Sequence, residues 1–387
     1  MSKGVGKLHF WGQRERPMTP RELAARVPII GKGRSKEDRE FNHHAIYVAT
    51  SGKAKPITSV TEVGHRADQT IWRIDIPDEK GQQLTHLFGR TATREDPEKI
   101  RAAIDPNTDF TGRCPDGSDL FYIPRTLPRT AIGGLRRFNG RSVTPAYVNN
   151  PDQRQVYQDT SYPWCCVGKV INSEGKVGSG ALVGPDIMVT AGHVVPWNSV
   201  QANSWWMLFV ADYFDFSFGI AGISFSVPLG WASYVSDVNG YSTSYYSGNV
   251  VGYDWAICKL YNPLGNSLGY FGFNGYSSDW ENENVWEVAG YPIEVAHGER
   301  PSREGGVSIL DDDEDSNDGQ ELESENSDIS PGNSGGPIFG WWGSDPRVIG
   351  VVSGQEHERP ARGPQDNNIF ASGSGFCNLI AWGRSNW

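Results

Sequence analysis

Short apolar runs alternate with turn residues along the second part of the chain. From Val156 onward, stretches rich in β-branched and aromatic residues are separated by Gly, Asn, Ser and Pro about every 8 to 12 positions. This pattern predicts an all-β domain whose antiparallel strands close into barrels. After Ser374, the residues Phe376, Leu379 and Ile380 recur at helical spacing, which predicts a closing helix near the C-terminus.

The first 150 residues show a different pattern, with few apolar runs and many charges. Residues 19–22, Thr-Pro-Arg-Glu, form a capping box with proline at the first helical position, which predicts a short helix over residues 20–27. A second helix is predicted over residues 97–104, and the alternation over residues 70–76 predicts a strand. The N-terminal part is therefore predicted to be a small α+β segment.

The composition changes again before the β domain begins. Residues 105–153 are rich in Pro, Gly, Asn and Arg. Such a stretch suits an exposed connection at which proteolytic processing would be tolerated. We therefore predict a basic N-terminal segment over residues 1–135, a linker over residues 136–153 and a β domain over residues 154–387.

The two parts of the chain carry opposite charge. Residues 1–150 contain 25 Lys+Arg and 17 Asp+Glu, a balance of +8, whereas residues 151–387 contain 10 and 29, a balance of −19. Because opposite potentials favour contact, we expect the N-terminal segment to bind the β domain as an intramolecular chaperone or inhibitory pro-segment. The alternative is an accessory domain with a solvated basic face. No nucleic-acid partner is expected, because the basic residues are scattered among acids and no binding motif is present.

The chain lacks the sequence patterns of a membrane protein and of a metal site. Its first residues contain no apolar core of the length of a secretory signal, and no run of 18 apolar residues occurs. We therefore expect a cytoplasmic location, with unconventional export as the alternative, and no membrane contact. The five cysteines are odd in number and include no CxxC pair, so we expect no metal and no cofactor. The vicinal Cys165 and Cys166 are predicted to be one buried and one exposed strand residue.

Residues 331–337, Pro-Gly-Asn-Ser-Gly-Gly-Pro, have the composition of a nucleophile loop. When a serine attacks a carbonyl, the oxygen becomes negative, and the backbone amides that stabilise it need the close approach and unusual dihedral angles that glycine allows. Ser334 is the predicted nucleophile, and the amides of Gly332 and Ser334 are the predicted oxyanion donors. A serine hydroxyl is a weak nucleophile, so the prediction also requires a histidine base and an orienting carboxylate.

Two strand-end motifs supply the base and the carboxylate. Residues 187–193, IMVTAGH, place His193 just past a strand end, and residues 254–260, DWAICKL, place Asp254 just before another apolar strand. His193, Asp254 and Ser334 follow one another with gaps of 61 and 80 residues. This is the order of the chymotrypsin group, whereas subtilisins and α/β-hydrolases use other orders. The three motifs together predict a His-Asp-Ser triad.

With these motifs the chain resembles the chymotrypsin-like serine peptidases. The matching stretches TAGH, DWAICKL, GNSGGP and GVVSG lie at residues 190–193, 254–260, 332–337 and 350–354. The absence of the usual cysteines and the YPW at residues 162–164 are most similar to the glutamyl-endopeptidase branch and its eukaryotic relatives. The resemblance covers roughly residues 154–387. It implies two antiparallel six-stranded β-barrels with a C-terminal helix, and a serine endopeptidase that cleaves proteins or peptides through an acyl-enzyme. A catalytically silent fold used for binding is the alternative.

The resemblance also implies how a substrate is selected. The residues implied to pair with an extended substrate strand are Ser353, Gly354 and Gln355. Asp328, six residues before the serine, matches the position that selects Arg or Lys in trypsin-like members and so favours a basic residue before the cleaved bond. Two alternatives stay open: glutamate-specific relatives can carry an acid there, and the aspartate can cap a turn. Against glutamate specificity, Ile329 and Val352 stand where that branch has threonine and histidine.

The residue beside the nucleophile bears on activation. In trypsin-like zymogens a freed amino terminus pairs with an aspartate at this place, but the neighbour here is Asn333, which cannot form an ion pair. We therefore expect the oxyanion hole to form without cleavage of the chain. If processing occurs, we expect it to relieve a block by the basic N-terminal segment.

An acidic run at residues 311–326 precedes the nucleophile loop. Residues 314–325 fit a calcium-loop pattern loosely, without the usual first aspartate and without flanking helices. We favour a solvated acidic loop that attracts basic substrates or the N-terminal segment. We expect the chain to be a monomer.

Overall fold

A computed structural model describes the chain in ranges that cover most of the β domain and part of the N-terminal segment. These are residues 11–31, 59–66, 69–75, 89, 91–93, 97–127, 148–149, 151–201, 205–220, 223–240, 251–315, 318–357 and 366–387. Most of the predicted linker, residues 136–147, lies outside them. Among the described residues, no helix is both long enough and apolar enough to cross a membrane.

The elements are mostly strands, as predicted. The strands are β1 (Ser59–Arg66), β2 (Gln69–Asp75), β3 (Thr91–Thr93), β4 (Gln155–Val156), β5 (Val167–Asn172), β6 (Val177–Leu182), β7 (Ile187–Thr190), β8 (Met207–Ile220), β9 (Ile223–Gly240), β10 (Ala256–Leu260), β11 (Gly272–Phe273), β12 (Trp286–Gly290), β13 (Ser302–Val307), β14 (Asp311–Asp315), β15 (Gly319–Ser324), β16 (Pro337–Trp342), β17 (Asp345–His357) and β18 (Asp366–Ser372). The α-helices are α1 (Pro20–Ala24), α2 (Pro97–Ala102), α3 (Trp197–Gln201), α4 (Gly265–Leu268) and α5 (Ser374–Asn386). The strand predicted over residues 70–76 is β2, which pairs with β1.

The first sheet of the β domain closes into a six-stranded antiparallel barrel. Its strands follow the order β10-β7-β6-β5-β8-β9, and a further pairing of β10 with β9 joins the two ends. The short strand β3 from the N-terminal segment extends the sheet as a parallel neighbour of β9. All four residues of β7 are buried, which is the state expected of a short, continuous apolar run.

The second sheet contains the other strands of the predicted double barrel. Its order is β14-β15-β18-β17-β16-β12-β13-β4, and β11 pairs with β17 beside this path. All six residues of β16 are buried. In this core Trp280 lies against Trp286 and Trp342, each at a ring-centroid distance of 5.9 Å. A closed barrel, a second sheet and the helix α5 confirm the predicted all-β fold class.

The closing helix α5 begins at Ser374, as predicted, and joins several parts of the molecule. Arg384 on this helix is half-buried, and desolvation of its guanidinium lowers the pKa of this group to about 10. The guanidinium donates to the backbone oxygens of Asp109, Thr111, Val183 and Phe271 at 2.5 to 3.0 Å. These carbonyls lie in the N-terminal segment, in the first barrel and in the connection to the second sheet, so one side chain fixes all three parts.

Both predicted N-terminal helices form, but each ends earlier than predicted. Thr19 caps α1 through its side chain, and Glu22 completes the capping box. α1 ends before the predicted Val27 in a tighter turn, in which the Arg26 amide donates to the Leu23 carbonyl three residues back. α2 ends before the predicted Ile104, and its last turn is tighter, with amides bonded to carbonyls three residues back.

Several described residues of the N-terminal segment contact the β domain. The Trp11 indole is buried and donates to Asn378 Oδ1 on α5 at 2.8 Å. Arg101 on α2 forms an ion pair with Asp318, which lies between β14 and β15. Apolar burial and neutral hydrogen bonds therefore contribute to this contact beside the charge pairing. The three predicted domain boundaries stay a prediction.

The vicinal cysteines differ from their prediction. Cys165 and Cys166 are both buried in the 3₁₀ turn Trp164–Cys166, and both thiols lie at the carbonyl oxygen of Leu268, at 3.4 and 3.5 Å. The prediction of one buried and one exposed strand residue is wrong, because side chains alternate between faces in a strand but not in such a turn. All five cysteines lie within the described residues, and none of them is in a disulfide bond there.

Candidate active site

Two neighbouring strands of the first barrel bring His193 and Asp254 together. His193 lies in a 3₁₀ turn just after β7, and Asp254 lies just before β10. These strands are antiparallel neighbours, with Thr190 opposite Ala256, so the end of one meets the beginning of the other. His193 Nδ1 lies 2.6 Å from Asp254 Oδ2, and the His193 amide donates to Asp254 Oδ1 at 2.8 Å. The structure therefore brings the predicted base and carboxylate into direct contact.

A third donor to this carboxylate comes from the second sheet. Ser353 on β17 donates its hydroxyl to Asp254 Oδ2 at 2.6 Å, and Asp254 is 2% exposed. Both oxygens of this carboxylate accept hydrogen bonds, one from a backbone amide and one from a hydroxyl. In the contact with Asp254 Oδ2, Nδ1 of His193 is therefore the donor and carries the proton. Nε2 is then the ring nitrogen that can take a proton, as a general base requires.

The loop that carries Ser334 depends on glycine. Gly332 and Gly335 have φ angles of +99° and +83°, a region that favours glycine. A Cβ on Gly332 would lie 2.4 Å from the Tyr291 carbonyl oxygen, and one on Gly335 would lie 2.2 Å from Thr190 Oγ1. Because Thr190 is the last residue of β7, the Ser334 loop lies against the strand end that leads to His193. The structure thus brings all three motifs to one place.

The predicted oxyanion donors bind no other group in the part of the chain that the structure describes. The carbonyl of Pro331 accepts from the Ile293 amide at 2.7 Å, so the Gly332 N–H of the same peptide unit points to the opposite side. Among the described residues, the amides of Gly332 and Ser334 donate to no other group. Two free amides around a half-buried serine are what stabilisation of a negative oxygen requires.

Ser179 supports this loop and was missed by the sequence analysis. It is fully buried on β6, and its amide donates to the Ser334 carbonyl at 2.8 Å. Its hydroxyl donates to the Gly332 carbonyl at 2.7 Å and accepts from the Tyr291 amide at 2.8 Å. The surrounding residues Gly-Ser-Gly carry no motif that distinguishes such a support from an ordinary strand serine.

The implied substrate strand has one open side. Ser353, Gly354 and Gln355 lie in β17, where β18 pairs with Gly354 and Gln355 on one side and Ser353 stands at a register shift. On the other side β16 begins at Pro337, which is paired with Val351, so the described pairing of β17 with β16 does not reach residues 353–355. An unpaired strand edge of this kind can accept an extended peptide.

Asp328 lies six residues before Ser334 in the chain and is 1% exposed. Its Oδ1 accepts the Asn149 amide at 2.5 Å, and its Oδ2 accepts the Gln153 amide at 2.6 Å. Its own amide donates to Glu304 Oε2 at 2.6 Å. Both carboxylate oxygens therefore bind the chain just before β4, an arrangement that resembles a capping role. The predicted preference for a basic residue stays a prediction.

Two charged residues beside Asp328 were not singled out from the sequence. Glu304 on β13 is 4% exposed, and its burial, followed by the nearby Asp328 carboxylate, raises its pKa to about 8. Arg154 is also 4% exposed and donates to Ser330 Oγ at 2.7 Å. Charged residues are rarely buried, so neither position carries a sequence signal for this environment.

The acidic run forms strands instead of the predicted loop. Residues 311–315 and 319–324 are β14 and β15, paired as an antiparallel hairpin with Glu314 opposite Gln320. The expected loop is wrong for these residues. β15 pairs with β18 and β14 pairs with β15, so the second sheet extends over both segments. Carboxylate oxygens of Glu281, Asp311 and Asp312 lie within 4.8 Å of one another, and no other such group of metal-ligating side chains occurs among the described residues.

Known proteins match the part of the chain that contains this site. The family model described as Trypsin matches residues 153–365, more than half of the chain. A glutamyl endopeptidase of Bacillus licheniformis is 24% identical over 243 residues, which cover 62% of this chain and 69% of that protein.

Solved structures were also compared with the chain. A Glu endopeptidase in complex with MPD is 16% identical, with a TM-score of 0.43 over 62% of this chain and 100% of that one. The thermostable serine protease AL20 from an extremophilic microorganism is 16% identical, with a TM-score of 0.40 over 58% of this chain and 99% of that one. The protease Anisep from Arthrobacter nicotinovorans is 17% identical, with a TM-score of 0.40 over 59% and 99%.

Proposed function

The chain belongs to the trypsin family and is a serine-type endopeptidase, and we propose that it hydrolyses peptide bonds through His193, Asp254 and Ser334. The observation that carries the proposal is the contact of His193 Nδ1 with Asp254 Oδ2 at 2.6 Å, next to the glycine-dependent Ser334 loop. Proteins or peptides are the substrates of this family. A silent fold used only for binding would have no need of a buried carboxylate aimed at the imidazole.

The chemistry proceeds in two halves. Ser334 Oγ attacks the peptide carbonyl carbon while His193 Nε2 takes the hydroxyl proton, and the oxygen that becomes negative accepts from the amides of Gly332 and Ser334. The C–N bond then breaks as the imidazolium returns the proton to the leaving amine, which leaves an acyl-enzyme. Water attacks the ester by the same route and releases the acid and the free serine. Asp254 stabilises the imidazolium in both halves.

Substrate binding is proposed along the open edge of β17. An extended peptide would form backbone hydrogen bonds with Ser353, Gly354 and Gln355. A slight preference for a basic residue before the cleaved bond rests on Asp328, whose position in the chain matches the selecting residue of trypsin-like members. Because both Asp328 oxygens accept backbone amides, a basic side chain would have to share them. Cleavage-site profiles will show whether a basic residue is preferred before the cleaved bond.

The N-terminal segment is proposed to act on the same chain. The support is the burial of residues such as Trp11, Leu23 and Ile100 against the β domain, together with the opposite net charges of the two parts. An inhibitory or chaperone-like contact is the proposed role. A cytoplasmic location and a monomeric state remain predictions.

The test of the proposed function is cleavage of a proteome-derived peptide mixture by the full chain, followed by mass spectrometry. We expect new peptide termini with the wild type and none with Ser334→Ala, because the triad acts as a unit. A fluorophosphonate probe should label the wild type and not the variant. Equal termini from both proteins, or a folded wild type that neither cleaves nor reacts with the probe, would contradict the proposal.

A further inference from the structure

The chain just before the β domain is tied to the region of the nucleophile through a buried carboxylate. Asp328 is 1% exposed and accepts the amides of Asn149 and Gln153 at 2.5 and 2.6 Å. Hydrogen bonds to a charged group are stronger than neutral ones, and a buried carboxylate without them would be costly. Asn149 and Gln153 are therefore held against the segment that follows β15 and precedes Ser334.

A second tie lies one residue further along the chain. Arg154 is 4% exposed, and its Nη1 donates to Ser330 Oγ at 2.7 Å. Its Nε and Nη2 donate to Asp152 at 3.0 and 2.9 Å, and Nη2 also donates to Glu294 at 3.4 Å. The two acidic partners fix the guanidinium in place, so its bond to Ser330 has a defined direction.

Ser330 passes this constraint to the residue beside the nucleophile. Its carbonyl accepts from the Asn333 amide at 3.0 Å, and its own amide donates to Asn333 Oδ1 at 3.4 Å. Asn333 is 2% exposed and directly precedes Ser334. A continuous series of contacts thus runs from Arg154 through Ser330 to the loop whose amides form the predicted oxyanion hole.

We propose that residue 149 and residues 151–154 position the nucleophile loop from within the uncut chain, with Arg154, Ser330 and Asp328 as positioning residues. The inference rests on the proposed function and adds how its oxyanion hole is held in shape. Asn333 cannot pair with a freed amino terminus, and the internal segment supplies the constraint in its place. The uncut chain therefore has its oxyanion amides in place without proteolytic activation.

The positioning role and a specificity role for Asp328 have different kinetic signatures. If Asp328 binds a basic side chain of the substrate, its loss raises KM for Lys and Arg peptides and leaves other peptides unaffected. If Asp328 positions the loop, its loss lowers kcat for every peptide by a similar factor, because the transition state and not the ground state loses its donors. The two roles can therefore be separated with one panel of substrates.

The experiment compares Ser330→Ala and Asp328→Asn with the wild type on peptides that differ only in the residue before the cleaved bond. We expect kcat to fall about ten- to a hundredfold, with KM within about threefold, because small misplacement of catalytic groups has effects of this size. Ser161→Ala is the matched control: Ser161 is also buried, and its hydroxyl has no hydrogen-bond partner among the described residues. Unchanged kcat in both variants, or a loss confined to Lys and Arg peptides through KM, would overturn the inference.

A second measurement does not depend on activity. Hydrogen exchange with mass spectrometry should show faster exchange of amides in residues 327–336 for both variants and not for Ser161→Ala. Unchanged exchange in that stretch would overturn the inference. If the wild type cleaves nothing, the proposed function fails while the exchange data still decide whether the segment holds the loop. If Asp328→Asn does not fold, Ser330→Ala decides alone, since it removes a single hydroxyl.

Discussion

Two buried aspartates on the two sides of the candidate site show how donors decide what a carboxylate does. Asp254 and Asp328 are 2% and 1% exposed, and every oxygen of both accepts at least one hydrogen bond. Asp254 accepts an imidazole, a hydroxyl and one backbone amide, whereas the donors to the Asp328 oxygens are backbone amides. An imidazole can take up and release a proton, but a backbone amide cannot, so we propose that Asp254 supports proton transfer by His193 and that Asp328 positions the chain.

The difference also appears in what each aspartate connects. Asp254 joins two strand ends of the first barrel and receives Ser353 from the second sheet. Asp328 joins the second sheet to the chain that enters the β domain. The carboxylate that we propose for the triad therefore lies where the two sheets meet. The other one sits where a connecting segment must be fixed.

The largest effect is expected for Asp254→Asn. The amide keeps the shape of the carboxylate but can donate where the imidazole must donate, so it favours the wrong tautomer of His193 and no longer stabilises the imidazolium. We expect kcat on a peptide substrate to fall by about 10⁴-fold. Thermal unfolding followed by circular dichroism should show that the variant is folded at the assay temperature.

Asp328→Asn is the matched comparison for this change. Its expected loss, about ten- to a hundredfold in kcat, is well below that of Asp254→Asn because it moves donors and does not remove the base partner. An activity of Asp254→Asn within tenfold of the wild type would contradict the different roles proposed for the two aspartates. So would an equal loss in the two variants.

Local sequence patterns indicate the proposed triad, but they do not indicate the contacts of Asp328. His193, Asp254 and Ser334 each lie within or beside a short local pattern, an apolar strand end or a glycine-rich turn, and local patterns are visible in a sequence. The donors to Asp328 lie 175 and 179 residues away from it in the chain, and they are backbone amides, which any residue but proline supplies. No residue type marks such a contact, so only the folded structure reveals it.

The same reasoning explains the partial success on the fold. Strand periodicity and the helical spacing after Ser374 predicted the elements of the β domain, because these patterns repeat within a few residues. The burial of Glu304 and Arg154 was not predicted, because charged residues are normally exposed and their burial depends on distant partners. The helix ends in the N-terminal segment were placed too late, since local turns ended those helices.

The next largest effect is expected on stability, from Glu304→Gln. In the folded protein the pKa of Glu304 is raised from 4.5 to about 8, so between these pH values the folded state keeps a proton that the unfolded state releases. The contribution of this group to stability is complete below about pH 4.5 and is lost as the pH rises through about 8. Gln keeps the oxygen that accepts the Asp328 amide and stays neutral, so it removes this loss.

The size of the Glu304 effect follows from its shift. One pKa unit corresponds to about 1.4 kcal/mol, and relaxation around a charged group reduces the full value, so we expect the variant to be more stable than the wild type by about 1 to 3 kcal/mol at pH 8.5. Near pH 5 the two should be similar. The measurement is urea unfolding at both pH values, with exposed Glu314→Gln as the control. The same stability difference at both pH values would show that Glu304 is not the proton-binding group. It would contradict the raised pKa that burial and the Asp328 carboxylate give to Glu304.

The smallest effect is expected for Ser353→Ala, which removes one donor from Asp254 and leaves the backbone of the substrate strand intact. Since the imidazole and the His193 amide still hold the carboxylate, we expect kcat to fall about tenfold, which corresponds to about 1.4 kcal/mol, with KM unchanged. A double-mutant cycle with Asp254→Asn sharpens the comparison of the two aspartates. If Ser353 acts through Asp254, its loss should have little further effect once the carboxylate is gone. A full tenfold loss in the Asp254→Asn background would mean that Ser353 acts on the substrate directly, and Asp254 would then depend on its histidine contacts alone.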